Sequence, residues 1–328
     1  MRVQRGMMAA SAVLLAAGLI AGCGGAGAAG PGAPVEKLRL MVPAKAGGGW
    51  HQTAEAVRNV LQRDNLATGT EVFNVAGANG ITGLNQLTGE RNDKVLMVMG
   101  KVMVASVINS KSAKTLKQTT PLARLTSESM ALVVPAKSPY TNLQEFLTGW
   151  KQDSKGTVVT GGVVADVDHI LAGLIADEVG IDPKMVNFLP NQGGGGESVA
   201  KLLSGEAKAG ISGVSEYAEQ VKAGNLRALA VSGERRSKLL PDVKTLKEQG
   251  VPIAYVNWRG IVGTPDLADG SRQELVAMLT RLKDSAGWQQ MLRDKDWEDA
   301  FLAGPEFDTY IEAESAAAKK VLTEIGLV

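Results

Sequence analysis

Short apolar runs of strand length alternate with amphipathic runs of helical period along most of this chain, and no other feature limits the fold as strongly. Strand-like segments occupy residues 38–42, 71–75, 95–99, 130–134, 157–160, 186–189, 207–211, 226–231 and 260–263. Between them lie stripes spaced i, i+3, i+4, i+7, such as Leu143, Phe146, Leu147 and Trp150, or Leu275, Met278, Leu279 and Leu282. A helix is expected from about His51, with Ala54, Val57, Val60 and Leu61 on one face. Alternation of this kind predicts an α/β fold with parallel sheets and right-handed crossovers. Ligands of such sheets bind at the carboxyl ends of the strands.

Four of the expected strand-to-helix junctions are built of small residues: 46–50, 77–83, 161–164 and 193–196. Each leads toward a helix N-terminus, where open backbone N–H groups and the helix dipole favour an anion. Glycine lets a ligand come close to the backbone. One glycine-rich turn is ordinary in an α/β protein, but four in one chain point to a shared anion site. It is not a nucleotide site of the usual kind. Residues 77–83 read GxxGxxG rather than GxGxxG, and no GxxxxGK[ST] occurs.

Composition removes several other functions. The 328 residues are enough for two domains, and 35 basic against 34 acidic side chains offer no field for nucleic acid. A single cysteine, Cys23, excludes an intrachain disulfide and a cysteine-rich metal site. Two histidines, His51 and His169, leave little for histidine catalysis or zinc. Neither a metal nor another cofactor is expected. Asp168, beside His169, reads as a helix cap rather than a metal ligand. Ser215 lacks the second glycine of a nucleophile elbow. Met97, Met99 and Met103 read as core and cleft wall. Trp50 could line a cleft or staple a helix start to the core. Arg259 could clamp a carboxylate of a ligand or pair with one of the protein.

The N-terminus reads as an export signal. Arg2 and Arg5 precede an uncharged apolar stretch over 7–20. Ile20-Ala-Gly-Cys23 then resembles the lipobox of bacterial lipoproteins, whose cysteine is acylated and becomes the first mature residue. Residues 1–22 would be the signal peptide, and 23–36 a Gly/Ala/Pro tether. Two acyl chains on Cys23 would anchor the protein to the membrane face where one would not.

Several segments, taken in order, resemble the substrate-binding proteins of tripartite tricarboxylate transporters, the TctC or Bug family. They are Pro43-Ala-Lys-Ala-Gly-Gly-Gly-Trp-His-Gln-Thr-Ala54, Asn74-Val-Ala-Gly-Ala-Asn-Gly80, Pro121-Leu-Ala-Arg-Leu125 and Val133-Val-Pro135. Asp168-His-Ile-Leu-Ala-Gly-Leu174, Gly193-Gly-Gly195, Gly210-Ile-Ser-Gly-Val-Ser-Glu216 and Asn257-Trp-Arg-Gly260 follow. The resemblance implies a two-lobed type II periplasmic-binding-protein fold with two chain crossovers. Domain 1 would be 37–135 with 258–328, and domain 2 would be 136–257.

It also implies a non-catalytic, extracytoplasmic and monomeric protein that captures a small di- or tricarboxylate and delivers it to integral membrane subunits. By the same resemblance the ligand would meet Gly48, Gly49, Trp50, His51, Gly77, Ala78, Asn79 and Gly80. From the other lobe it would meet Gly161, Gly162, Asp168, His169, Gly193, Gly194, Ser212 and Ser215, with Trp258 and Arg259 nearby. The chain departs from the family's pattern where His51 replaces an Asp, Ala76 a proline, Asn79 a glycine, and Gly162-Val163 a serine-containing pair. Two other classes fit the residues: a surface sensor lipoprotein partnering a membrane kinase, and a secreted hydrolase using a histidine base.

The anchoring expectation has a direct check. Cys23→Ala should move the mature protein from the membrane to the soluble fraction after cell fractionation. Equal membrane retention of variant and parent would refute acylation at Cys23.

Overall fold

The computed structural model describes residues 32–191 and 195–328, so Cys23, Gly193 and Gly194 lie outside the described residues. In chain order the elements begin with β1 (Val35–Glu36), β2 (Arg39–Val42), α1 (Gly49–Arg63), β3 (Ala67–Thr68), β4 (Glu71–Asn74), α2 (Ile81–Gly89), β5 (Val95–Gly100) and α3 (Lys101–Asn109). They continue with β6 (Thr120–Pro135), α4 (Leu143–Gln152), β7 (Val158–Thr160), α5 (Val167–Glu178), β8 (Asn187–Leu189), α6 (Gly195–Leu203), β9 (Ala209–Gly213), α7 (Val214–Lys222) and β10 (Leu226–Val231). The last are β11 (Val256–Gly263), α8 (Asp269–Asp284), α9 (Ala286–Lys295), β12 (Glu298–Ala303) and α10 (Pro305–Glu324).

One ten-stranded sheet runs β4-β2-β5-β11-β6-β9-β7-β8, and β10 and β12 also pair with β6. Strand β6 belongs to both lobes. Up to Ser129, opposite Val256, it pairs with β11; from Met130, opposite Gly213, it pairs with β9. The chain returns between Ser232, whose carbonyl accepts the Tyr255 N–H, and the start of β11. The sequence alternation predicts parallel sheets, and the outer strands of each lobe are parallel: β4-β2-β5 and β9-β7-β8. Around β6 every pairing is antiparallel. The difference has a topological cause, because β6 and β11 carry the chain between lobes in opposite senses.

The apolar pattern explains where each lobe places its core. Along β5, Leu96 packs on one face with Leu61, Leu125, Ile261 and Leu279, while Met97 and Met99 pack on the other with Met103, Trp258 and Phe307. Both faces of that strand are covered, as in a sheet sandwiched by helices. In the second lobe Leu143, Phe146, Leu147 and Trp150 of α4 all turn inward. Each such side chain contributes about 1.5–3 kcal/mol by leaving water. Asn142 starts α4 by accepting the Glu145 N–H at 3.0 Å. Helix α10 spans the lobes: Phe307 and Ile311 pack in the first, while Leu322 and the following Ile325 pack with Ile170 of α5.

Gly100 closes β5 where it passes Trp258 and Arg259 of β11, and a Cβ there would collide with the Trp258 carbonyl oxygen. A backbone atom cannot yield as a side chain does, so Gly100→Ala should destabilise the fold by about 1–3 kcal/mol. At this chain size that corresponds to a melting temperature lower by roughly 2–5 °C. Gly89→Ala, where nothing lies within 4 Å, is the matched control and should change it little. Equal thermal denaturation curves for the two variants would show that β11 shifts freely.

Candidate functional site

A cavity of about 440 Å³ lies between the lobes, lined by loops that end at helix N-termini. On the first lobe these loops are β2 to α1 and β4 to α2. Helix α1 begins at Gly49 after Gly48, which supplies no side-chain cap. The leading N–H groups of α1 are therefore open to an anion. Residues Gly77, Ala78, Asn79 and Gly80 all have positive φ, at 145°, 45°, 53° and 94°. This backbone is strained at Ala78, whereas Asn79 is the kind of non-glycine residue that tolerates the left-handed region. The departure from glycine at 79 thus keeps the loop's shape. Trp50 lies over Gly80, with ring atoms 3.0 Å from where a Cβ would stand, and locks the two loops together.

The second lobe contributes Gly162, Val163, Asp166, Val167, Asp168, Asn191, Ser212, Gly213 and Glu216. Asn257 and Arg259 of β11, with Val102 of α3 and Met130 of β6, join the two walls. The wall carboxyls are held by local donors. Asp166 caps α5, accepting from the Asp168 and His169 N–H groups at 3.0 and 3.1 Å, and its other oxygen accepts the Val163 N–H at 2.8 Å. Asp168 accepts the Gly162 N–H at 2.7 Å. The cap is therefore Asp166, not Asp168 as the sequence suggested; the helix starts two residues earlier than that reading implied. Glu216 accepts from the Gly195 N–H at 2.6 Å and the Ser212 hydroxyl at 2.7 Å.

Burial raises the pKa of these three carboxyls. Asp166 is pushed up to about 7, chiefly by loss of solvent. Asp168 rises well above the ordinary carboxylate range through burial, then through repulsion from Asp166 and Glu216. Glu216 rises through burial and the nearby Glu128. Glu128 itself pairs with Arg259 at 3.0 Å, both side chains being buried. Arg259 thus meets a protein carboxylate, yet its Nη1 has no partner and the residue lines the cavity. Among the described residues no group of three or more acid, cysteine or histidine side chains is placed to hold a metal.

Of the residues expected at a ligand, the structure brings Gly48, Gly49, Trp50, Gly77, Ala78, Asn79, Gly80, Gly162, Asp168, Ser212 and Arg259 to the cavity wall. Five others stand behind or beside it. His51 faces Asn74, with Nδ1 3.4 Å from its amide nitrogen. Gly161 packs beneath Asp168. His169 stacks on Phe188 at 4.1 Å and accepts the Ala165 N–H, and burial lowers its pKa to about 4. Ser215 donates to Glu128 through both N–H and hydroxyl. Trp258 is enclosed by Phe307 and Tyr310 and donates to Glu314 at 2.7 Å. Sequence reasoning missed Glu128 as the buried partner of Arg259, and Asn191, Asn257 and Glu216 as cavity groups. The last two fall inside the quoted motifs, so position within those motifs was the available signal.

The family described as tripartite tricarboxylate transporter family receptor matches residues 55–327. A Cupriavidus necator protein, described as the UPF0065 protein in the gbd 5′ region, is 25% identical over 302 residues, covering 90% of this chain and 89% of its own. Protein BugT of Bordetella pertussis is 26% identical over 276 residues, with 82% and 80% coverage. Among solved structures, the periplasmic binding protein BugD superposes with a TM-score of 0.77 at 16% identity, over 90% of this chain and 99% of that one. MatC of Rhodopseudomonas palustris with bound malate gives 0.75 at 19% identity, over 88% and 99%. An R. palustris protein with adipate gives 0.76 at 18% identity, over 89% and 98%. These superpositions show the same two-lobed type II fold.

The raised pKa of Asp166 has a readable consequence. Between the ordinary carboxylate value near 4 and about 7, the folded protein keeps a proton that the unfolded chain has lost. This group's contribution to stability is therefore full below that window and falls as pH rises through it. Asp166→Asn cannot ionise, so relative to the parent it should gain stability from about pH 4 to about pH 7.5, by at most roughly 1.4 kcal/mol per unit. Urea unfolding at several pH values checks this. A stability difference that stays constant with pH would mean that Asp166 ionises normally.

Proposed function

Because this chain belongs to the tripartite tricarboxylate transporter receptor family, we propose that it captures a small carboxylate between its lobes and presents the loaded form to integral membrane subunits of that kind of transporter. Membership of this family makes it a transport receptor working outside the cytoplasm rather than an enzyme. The observation that carries the ligand reading is the pairing of two open backbone sites on one wall. The uncapped start of α1 and the positive-φ turn 77–80 both face the cavity. Together they offer N–H donors and a helix dipole to one carboxylate, with Lys45 on the same wall of the cavity, a charge-assisted arrangement.

Gly48, Gly49, Trp50 and the 77–80 turn would hold that carboxylate. Gly162, Asp168 and Ser212 would meet the ligand's other side, directly or through water. The carboxylates that MatC and the adipate-bound protein carry in the same fold support this class of ligand. His51, His169, Ser215 and Trp258 would act indirectly, by fixing the loops that line the cleft. The reading extends to a monomer anchored through Cys23, which lies twelve residues ahead of β1, so that regular structure begins before the end of the 23–36 segment read from the sequence as a tether. It also takes 37–135 with 258–328 and 136–257 as the two closing bodies.

The test is a thermal-shift series with malate, adipate and citrate, followed by small-angle scattering with whichever binds. A ligand at 100 times its Kd adds about 2.7 kcal/mol. That should raise the melting temperature by roughly 4–5 °C. Closure should also lower the radius of gyration. No shift with any small carboxylate would defeat the proposal, and binding without compaction would defeat the closure step alone.

A further inference from the structure

Gly162, Val163, Asp166, Val167 and Asp168, all on the second-lobe wall of the cavity, come from one loop and the first turn of α5. One N–H inside that loop has an unusual partner: Ala165 donates to Nδ1 of His169 at 3.2 Å. Ala165 sits in the left-handed region at φ 60° and is 1% exposed. An L-residue resists that conformation where glycine does not, and a buried N–H needs an acceptor. The methyl has a use of its own, because it packs with Ala105 of α3, Ile170 of α5, Leu322 of α10 and Ile325.

The imidazole that takes this N–H is itself fixed. It stacks on Phe188 of β8 with centroids 4.1 Å apart and planes 2° from parallel. The Phe188 ring also lies 3.0 Å from where a Cβ of Gly161 would stand. Phe188 therefore braces both ends of the loop, Gly161 directly and Ala165 through His169. An acceptor at Nδ1 of a neutral ring puts the proton on Nε2. Burial lowers the pKa of the ring to about 4, with no neighbouring charge to raise it, so the acceptor is free at neutral pH. Asp166 and Asp168, the acids beside it in sequence, turn their carboxyl oxygens to the N–H groups of Val163, Asp168, His169 and Gly162. Strand β8, Asn187-Phe-Leu189, carries no titratable side chain.

We propose that His169 is a positioning residue of the binding site: accepting at Nδ1 and stacked on Phe188, it holds Ala165 left-handed and so fixes the second-lobe wall against which the ligand rests. The role rests on the carboxylate reading above but needs no contact with the ligand, since the ring lies off the cavity wall. A proton on Nδ1 would replace the acceptor by a second donor facing the Ala165 N–H, so acid would loosen the wall by the same route.

Three substitutions separate the acceptor from the ring. His169→Asn keeps an acceptor at the δ position without the ring, His169→Phe keeps a flat ring without the acceptor, and Ala165→Gly removes the need for either. The probe is whichever of malate, adipate and citrate shifts the parent's melting temperature most, titrated calorimetrically. His169→Phe should bind it at least about tenfold more weakly than the parent, and His169→Asn within about threefold. His169→Phe combined with Ala165→Gly should return to within about threefold. A ring that merely filled space would give the reverse order, with His169→Phe harmless and His169→Asn harmful, and that order overturns the role. So does a loss in His169→Phe that Ala165→Gly fails to relieve. Nitrogen-15 NMR of the unliganded parent at about pH 7 should show His169 as the Nε2–H tautomer. The Nδ1–H tautomer or a charged ring there overturns the role whether or not a variant folds poorly. If none of the three compounds binds, the carboxylate reading falls by itself. Amide exchange at Ala165, at least about tenfold faster in His169→Phe than in the parent, then supports the clamp, and equal exchange rejects it.

Discussion

Glu128 and Arg259 face each other across β6 and β11 at the point where β6 changes lobes, 3.0 Å apart and almost wholly shielded from water. Removing two charges from water is expensive, and their attraction offsets that cost only when the geometry is good and the spare valences are filled. Here they nearly are. Ser215 at the start of α7 donates twice to Glu128, and Arg259 stacks over Trp297 at 5.1 Å. Arg259 also lies against Gly49, where a Cβ would stand 2.5 Å from its Nη2. One ion pair therefore positions the first turn of α1, the first turn of α7 and the junction of the two lobes. The cavity has its walls where they are because these three elements meet on it.

The anion-favouring wall depends on backbone rather than on side-chain charge. The turn 77–80 holds four positive-φ residues in succession, two of them not glycine. Such conformations cost of order 1–3 kcal/mol each and persist only where the surroundings enforce them. The enforcing contacts are visible: Trp50 and Met103 press on Gly80, and Thr82 fills the space beside Gly77. Strain stored there holds the turn in one shape on the cavity wall before any ligand arrives. A pre-arranged site loses less on binding than one that must be ordered.

Much of this was legible in the residues and some was not, for physical reasons. The stripes of α4 and α8 announced themselves because their apolar spacing matches the helical period, and all eight side chains are buried. The loops around Gly48 and Gly77 were legible because glycine clusters at helix starts are readable from order alone. Strand β6 was read only as 130–134, because Thr126-Ser-Glu-Ser129 breaks the apolar run. Those four polar residues are nonetheless buried, since tertiary partners satisfy Glu128. Strand β12 escaped notice because Glu298-Asp-Ala-Phe-Leu-Ala has no clean alternation and pairs only along one side of β6. His51 drew attention as a departure from its family, yet its partner is Asn74, a neighbour through the β2-β4 pairing that spacing could not reveal.

Helix α10 gives the molecule a kinematic property. The lobes are joined along β6 and its return strand, and again, apart from these, where Ile325 packs on Gly173 of α5. Two bodies tied along two separate lines cannot twist or shear freely; they keep chiefly the rotation whose axis passes near both ties. If the lobes close as proposed, the walls of the cleft would meet in the same alignment each time. The walls around Gly48 and Gly77 would then come to a ligand in the same register on every closure, without an ordering search at the moment of contact.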